Sequence, residues 1–386
     1  MIHNKYDVII VGGGIVGLSL ASALMQKTTL RLLIVESSPA TLSWDKTSFD
    51  VRVSAITPAS QRFFESIEVW QNLITEGIAP YEDMHVWDGE SSGEVRFASH
   101  TIGAPVLGHI IENRLMQKVL WEKTKALIYC ARCVKVTPFT KGFYVTLENG
   151  HTIETSLVVG ADGANSPVRD ALQIPYSERE YGHNAIIANV HCEKSHDFIA
   201  RQRFEHTGPL ALLPMKHPHL CSIVWSQVPL EAHRLMALSD ADFNRDIAWR
   251  FEKVLGKLTL ASQRLHFPLI CKHAKRYIKE HAALIGDAAH SVHPLAGQGL
   301  NIGLGDAADL SPAIITACHQ KRDFFEHAVL RRYERAARAR AIPMLGAMEG
   351  FRLLFGSKNP YVLHARSVGL RFLNRHPVIG SLFIPR

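Results

Sequence analysis

The segment Gly12-Gly13-Gly14-Ile15-Val16-Gly17 constrains this chain more than any other, because it sets GxGxxG between a strand pattern and a helix pattern. Tyr6 to Val11 reads as a buried β-strand, Ile15 to Gln26 keeps apolar residues on one helical face, and Leu30 to Val35 supplies the next parallel strand. In that setting the glycines serve different ends. The first makes the tight turn, the second lets a pyrophosphate approach the backbone, and the third lets helix and strand pack closely. Phosphate oxygens would meet the unpaired N–H groups at the helix start. Glu36 ends the second strand about 20 residues on, where a carboxylate accepts the hydroxyls of an adenosine ribose and repels a 2′-phosphate. This site suits FAD or NAD and not NADP; glycines serving packing alone are the alternative.

The same stretch imitates an export signal. Val8 to Met25 is uncharged, mostly apolar and of membrane-helix length, and Ala21-Ser22-Ala23 resembles a signal-peptidase site. The four glycines interrupt the run, however, and Asp7 stands where a cationic segment belongs, so a cytoplasmic protein is expected. Six scattered cysteines agree with a reducing compartment, and the lone Cys130-Ala-Arg-Cys133 reads as ordinary thiols.

With 386 residues, 47% of them hydrophobic and 20% charged, the chain can bury more than one core, which excludes a lone small module and wholesale disorder. The net charge of +7 is gathered at one end: Arg331 to Arg386 holds eleven basic residues against Glu334 and Glu349. A nucleic-acid binder would carry its charge as a stripe on the folded domain, so no nucleic-acid partner is expected. Nor is a metal: the 21 histidines include no HExxH pair, and His217-Pro218-His219 reads as an exposed turn.

Two later segments repeat the strand-to-turn pattern. Leu157-Val158-Val159-Gly160-Ala161-Asp162-Gly163 leads to Ser166 as a helix N-cap with Pro167 behind it. Ala282 to Ile285 runs into Gly286-Asp287-Ala288-Ala289-His290, then His293-Pro294-Leu295-Ala296-Gly297-Gln298-Gly299-Leu300-Asn301. An acid after a strand, followed by a glycine-rich turn into a helix, can hold a ribityl hydroxyl and bring bare amides to a flat ring. In this order and spacing the three motifs resemble the single-component FAD-dependent aromatic hydroxylases. The run from Gly286 to Asn301, with Asp50-Val51-Arg52, Ser54-Ala55-Ile56 and Ile111-Glu112-Asn113 before Leu115, is similar to the flavin hydroxylases of ubiquinone biosynthesis. Ile187-Ala188-Asn189-Val190, Gly208-Pro209-Leu210 and Ser222-Ile223-Val224-Trp225 resemble its 2-polyprenyl-6-methoxyphenol hydroxylase branch. One departure is Gly305, where the family commonly has Arg before the Asp kept here as Asp306.

The resemblance implies a mixed α/β and α+β fold: a Rossmann-like FAD-binding domain of the aromatic hydroxylase type from residues 1–80, 106–180 and 272–330, and an inserted, mainly antiparallel β-sheet substrate domain from 81–105 and 181–271. A basic C-terminal helical segment, 331–386, completes it. Within these limits, a hairpin of Val134–Pro138 and Phe143–Leu147 closed by Glu148-Asn149-Gly150 is expected, and a helix over Ala241–Leu255. The implied cofactor is noncovalent FAD, with NAD(P)H, NADPH favoured, as a transient reductant that lacks its own fingerprint; O₂ adds at C4a and an electrophilic oxygen passes to a phenol ring. Cofactor binding falls to Gly12, Gly14, Gly17, Glu36, Arg52, Arg114, Asp162, Asp287, Gly297, Gln298, Gly299, Leu300 and Asn301. The flavin face is lined by His293, Pro294 and Gly299, with no obligatory acid or base. Asp162 and Arg169 either shape the reductant's path or form an internal ion pair, and His290 is expected to tie down backbone groups.

The implied function is ring hydroxylation of a polyprenylated phenol, with a sister hydroxylase acting on another carbon, an isoprenoid reductase, or a non-catalytic quinone scaffold as alternatives; no Trp-x-Trp supports a halogenase. Partners would be the polyprenyl phenol, O₂ and other ubiquinone-pathway proteins. Arg352, Lys358, Arg366, Arg371 and Arg375 alternate with apolar residues, which fits either peripheral docking on the cytoplasmic face of the inner membrane or a packed helix with a solvated basic side.

Overall fold

The computed structural model describes residues 3–38, 49–291 and 298–376. Five strands of its first sheet run parallel, in the spatial order Ile128–Cys130, Leu32–Glu36, Lys5–Val11, Thr152–Gly160, Ala282–Leu284. Val8 to Ile10, Leu157 to Val159 and Ala282 to Leu284 are wholly inaccessible, as strands covered on both faces must be. The hairpin Cys133–Phe139 and Gly142–Leu147 adds antiparallel strands beside Thr152–Gly160. Its own turn is Thr140-Lys141; Glu148-Asn149-Gly150, with Gly150 at φ 83°, instead leads into the next strand. Helices α1 (Ile15–Lys27), α2 (Pro58–Ser66), α3 (Trp70–Glu76), α4 (Asn113–Thr124) and α5 (Pro167–Ala171) accompany this half. Ser166 caps α5 by accepting from Arg169 N–H, with Pro167 at its first position.

The second sheet has nine strands and is antiparallel except where Ile199–Glu205 pairs parallel with Asp83–Asp88. That pairing brings the early strands Asp83–Asp88 and Glu94–Ala98 to the strands between Tyr176 and Ala274. Helices α6 (Pro229–Ala237) and α7 (Asp240–Arg250) pack on it through Trp225, Phe243, Ile247 and Phe251, a core separate from that of the first sheet. The helix expected to reach Leu255 stops at Arg250, because Glu252 and Lys253 adopt φ of 53° and 55°. A small three-stranded sheet is formed by Val53–Ile56, Gly108–Glu112 and Ala79–Tyr81, interleaved in sequence with strands of the second sheet.

Three helices end the described chain: α8 (Gln298–His319), α9 (His327–Gly356) and α10 (Pro360–Arg375). Leu330, Tyr333 and Ala337 of α9 belong to the main core, while Met348 and Phe355 pack with Val86, Val95 and Phe204 of the second sheet. The described part of the basic segment, through α10, is therefore packed against the rest of the fold. Arg366 corrects the sequence expectation most sharply. Instead of facing outward it is 3% exposed, its Nε and Nη2 each 2.7 Å from Asp88 and its Nη1 3.1 Å from the carbonyls of Leu354 and Phe355.

Candidate active site

The three motifs begin at one level of the parallel sheet. Val11, Gly160 and Leu284 are register partners, so the glycine loop, the Asp162 turn and the Gly286-Asp287 turn all leave the carboxyl ends of adjacent strands. Glu36 follows Val35, which pairs with Val11, and closes the same edge. A ligand crevice is expected at that end of an open α/β sheet.

Within the loop the three glycines have different surroundings. Gly12 has φ 112°, and a Cβ there would lie 2.2 Å from the Ala161 carbonyl oxygen; one on Gly17 would lie 2.2 Å from the Gly12 carbonyl oxygen. A Cβ on Gly14 would meet no atom of the described residues within 4 Å, and Gly14 caps α1 without a side-chain acceptor. At the start of α1 the described residues thus leave room beside Gly14, which is where a pyrophosphate would approach a helix N-terminus. Glu36 accepts Gly13 N–H at 2.5 Å and Ser38 N–H at 2.9 Å, which holds its carboxylate beside the loop. These features fit FAD.

The Asp50–Arg52 and Asn113–Arg114 segments meet beside this loop. Asp50 N–H donates to Glu112, Arg114 Nη2 lies 3.8 Å from Asp50, and Gln117, one turn along α4 from Arg114, donates to the Gly13 carbonyl at 3.1 Å. Arg52 is exposed, its guanidinium 5.9 Å from the Phe267 ring centre. Asp162 and Arg169 do not form the ion pair considered above. Asp162 accepts from Ser166 and, at 2.9 Å, from Val168 N–H, holding the start of α5; burial raises its pKa against those bonds. Arg169, 2% exposed, donates to the carbonyls of Ala164 and Ala288 and lies over Tyr176, tying the second turn to the third.

At the third turn Gly286 has φ 60° and sits against Val16 of α1, and Gly303 of α8 approaches both. Asp287 keeps an exposed carboxylate although protein crowds it, and desolvation raises its pKa. His290 binds a carboxylate and not the expected backbone group: its Nε2 is 2.7 Å from Asp306, which also accepts Gly286 N–H at 2.9 Å. Burial opposes a charge on His290, but Asp306 outweighs it and raises the imidazole pKa. The stabilising contribution of His290 is thus full below its unfolded value of about 6.5 and fades as pH rises through the raised folded value. Urea melts of wild type and His290→Gln should therefore differ more at about pH 6 than at about pH 9. A gap that widens with pH would contradict this assignment.

Gly299, Leu300 and Asn301 form the first turn of α8. The Asn301 side chain accepts Thr57 N–H and Ser60 Oγ and donates to the Ala55 carbonyl at 2.7 Å, fastening α8 to the strand before α2. His293, Pro294 and Gly297 lie outside the described residues, as does the side chain of Gln298.

A profile of the FAD binding domain family matches residues 5–346. The 3-demethoxyubiquinol 3-hydroxylase of Escherichia coli is 32% identical over 98% of this chain and 97% of its own length. The chain belongs to the ubiquinone-biosynthesis family of FAD-dependent hydroxylases. Ubiquinone hydroxylase UbiL of Rhodospirillum rubrum is 34% identical over 98% of this chain and 88% of its own length. PqsL, a probable FAD-dependent monooxygenase from Pseudomonas aeruginosa, shares the fold, with a TM-score of 0.78 over 96% of this chain and all of that one at 22% identity.

This FAD-dependent monooxygenase also has a feature that no motif announces. A cavity of about 810 Å³ runs from Ala55 and Thr57, beside Asn301, to Phe355, Leu370 and Leu373 of the C-terminal helices. Among the described residues its walls are mostly apolar side chains of the three-stranded sheet (Ala55, Tyr81, Ile110), the second sheet, α9 and α10. Arg201, Arg340 and Arg366 are the arginines lining it among the described residues. Sequence reading missed Gln117 and Arg340, both on helix patterns with no local mark of a partner.

Proposed function

We propose that this hydroxylase oxidises the aromatic ring of a polyprenylated phenol, 2-polyprenyl-6-methoxyphenol, on the way to ubiquinone. The observation that carries this reading is the apolar cavity: one end adjoins the start of α8, and the other reaches helices where a long hydrocarbon tail can leave the protein. A tail buried there gains about 25 cal/mol for each Å² removed from water, so recognition of the prenyl chain needs no polar group.

Bound FAD supplies the redox chemistry, taking hydride from NAD(P)H and activating O₂. The protein's part is to bind, orient and exclude water. The α1 amides and Gly14 receive the pyrophosphate, Glu36 the ribose, and Asp287 a ribityl hydroxyl, with Arg52, Arg114 and Asp162 holding the surrounding loops. Backbone amides of Gly299, Leu300 and Asn301, at a helix N-terminus, favour negative charge at the ring edge. His293, Pro294, Gly297 and Gln298 complete that face in this reading. Residues 1–80, 106–180 and 272–330 form the FAD unit, and 81–105 with 181–271 the substrate unit. Asp287→Ala should weaken FAD retention about tenfold or more through loss of a buried hydrogen bond. Equal FAD titration curves for variant and wild type would count against the ribityl contact.

The substrate assignment is tested by quinone intermediates in cells lacking this protein. Accumulated prenyl-methoxyphenol supports the reading; a demethoxyquinone moves the chain to the sister reaction. Substrate-stimulated NADPH and NADH oxidation by the purified enzyme gives the reductant preference. No helix among the described residues is long and apolar enough to cross a membrane. We infer peripheral contact through α9 and α10, where Leu353, Tyr361, Val368 and Phe372 are 59%, 85%, 46% and 50% exposed beside Arg371 and Arg375. Such a mixture suits an anionic bilayer surface, the reservoir of a prenylated substrate, where ubiquinone-pathway partners would also gather.

A further inference from the structure

Arg340 stands where the cavity wall meets the cofactor helix, outside every role assigned so far. It projects from α9, lines the apolar cavity, and places its guanidinium against α8, with Nη1 3.6 Å from Asp306 and Nη2 paired with Asp309. A side chain at 305 would occupy the same space: a Cβ on Gly305 would lie 2.5 Å from Nη1 and 2.6 Å from Cζ of Arg340. Asp306 is completely buried and turns its other oxygen to Gly286 N–H and His290, the two ends of the turn that carries Asp287. A buried carboxylate needs a compensating charge, and a guanidinium stays charged at any working pH.

We propose that Arg340 is a positioning residue for the cofactor turn, acting through Asp306 on Gly286 and His290, and that Gly305 is the opening that admits it. The guanidinium comes from a helix that also walls the cavity, so the turn under the cofactor and the substrate's surroundings share one ionic contact. The inference rests on the assignment of the Gly286-Asp287 turn to FAD, and Asp287→Ala serves as its control.

The guanidinium can be taken out of this contact in two independent ways. Arg340→Met keeps most of the volume and deletes the charge. Gly305→Ala leaves every charge in place but pushes the guanidinium aside, while raising the helix propensity of α8. Each should raise the FAD dissociation constant of reconstituted apoprotein about tenfold or more, through loss of the counter-charge of a buried carboxylate. The Gly305→Ala/Arg340→Met double variant should bind FAD no worse than the poorer single variant, because both act through one contact. Arg340→Lys should recover part of the affinity. Multiplying losses in the double variant would overturn the inference, since they would mean separate structural damage. So would an unchanged FAD dissociation constant in Arg340→Met when Asp287→Ala is impaired. If Asp287→Ala itself binds FAD normally, the assignment of the turn fails first and takes this inference with it.

Discussion

Gly14→Leu should give a folded, colourless protein that FAD cannot restore, whereas Gly17→Ala, a far smaller change, should damage the fold itself. The two positions differ in what surrounds them. A Cβ on Gly14 meets no atom of the described residues within 4 Å, and the residue has φ −76°, which any side chain tolerates. The apoprotein therefore loses only the difference between glycine and leucine at a helix N-cap, about 1 kcal/mol. The leucine side chain then stands in the space proposed for the pyrophosphate. At Gly17 the added carbon falls 2.2 Å from the Gly12 carbonyl oxygen, and Gly12 cannot retreat because it is already pressed against Ala161. Overpacking of this kind costs about 3 kcal/mol when backbone lies on both sides, more than the gain of about 1 kcal/mol in helix propensity. Thermal melts of the apoproteins and flavin absorbance after reconstitution separate the cases. FAD bound to Gly14→Leu with wild-type affinity would remove the pyrophosphate from this loop.

What could be read in the sequence was whatever neighbouring residues determine among themselves. The strand before Gly12, the helix after it and the Ser166-Pro167 cap all follow from local periodicity and hydrogen-bond supply, and each stands within a residue or two of its expected place. Contacts between distant segments left no such mark. His290 looks like a turn residue until α8 brings Asp306 against it. Arg340 looks like one more basic residue on a helix until it is seen filling the space above Gly305. The parallel pairing of Asp83–Asp88 with Ile199–Glu205 joins strands more than a hundred residues apart, and no turn between them could have announced it. The cavity is invisible for the same reason, since its walls come from the three-stranded sheet, the second sheet and two terminal helices.

Arg366 gives the second large expected effect, and it bears on how membrane contact should be tested. Arg366→Met should leave the Asp88 carboxylate buried without its counter-charge, held only by Glu90 N–H and Ser91 Oγ, because the pair is closed on both sides, with side-chain exposures of 1% and 0%. Breaking such a pair costs about 3–5 kcal/mol, well beyond the value of an exposed bridge. The loss should appear locally. α10 is fastened to the Asp88–Arg96 region by this pair, by Asn374 accepting Arg96 N–H, and by Ser367 and Leu370 lying tight over Gly93. Without the latch, α10 should detach, so limited proteolysis near Gly356 to Pro360 should accelerate together with a fall in melting temperature. Asp88→Asn combined with Arg366→Met should be milder than Arg366→Met alone, because no charge is then stranded. Arg371 and Arg375 are exposed, and changing both to Gln should leave stability within about 0.5 kcal/mol. Any salt-sensitive attachment to anionic liposomes should fall in that double variant, which keeps α10 in place, and it is there that electrostatic docking is decided. Liposome binding unchanged by Arg371→Gln with Arg375→Gln would leave α10 as a cavity wall only, and proteolysis unchanged by Arg366→Met would show that the pair with Asp88 is not what holds it.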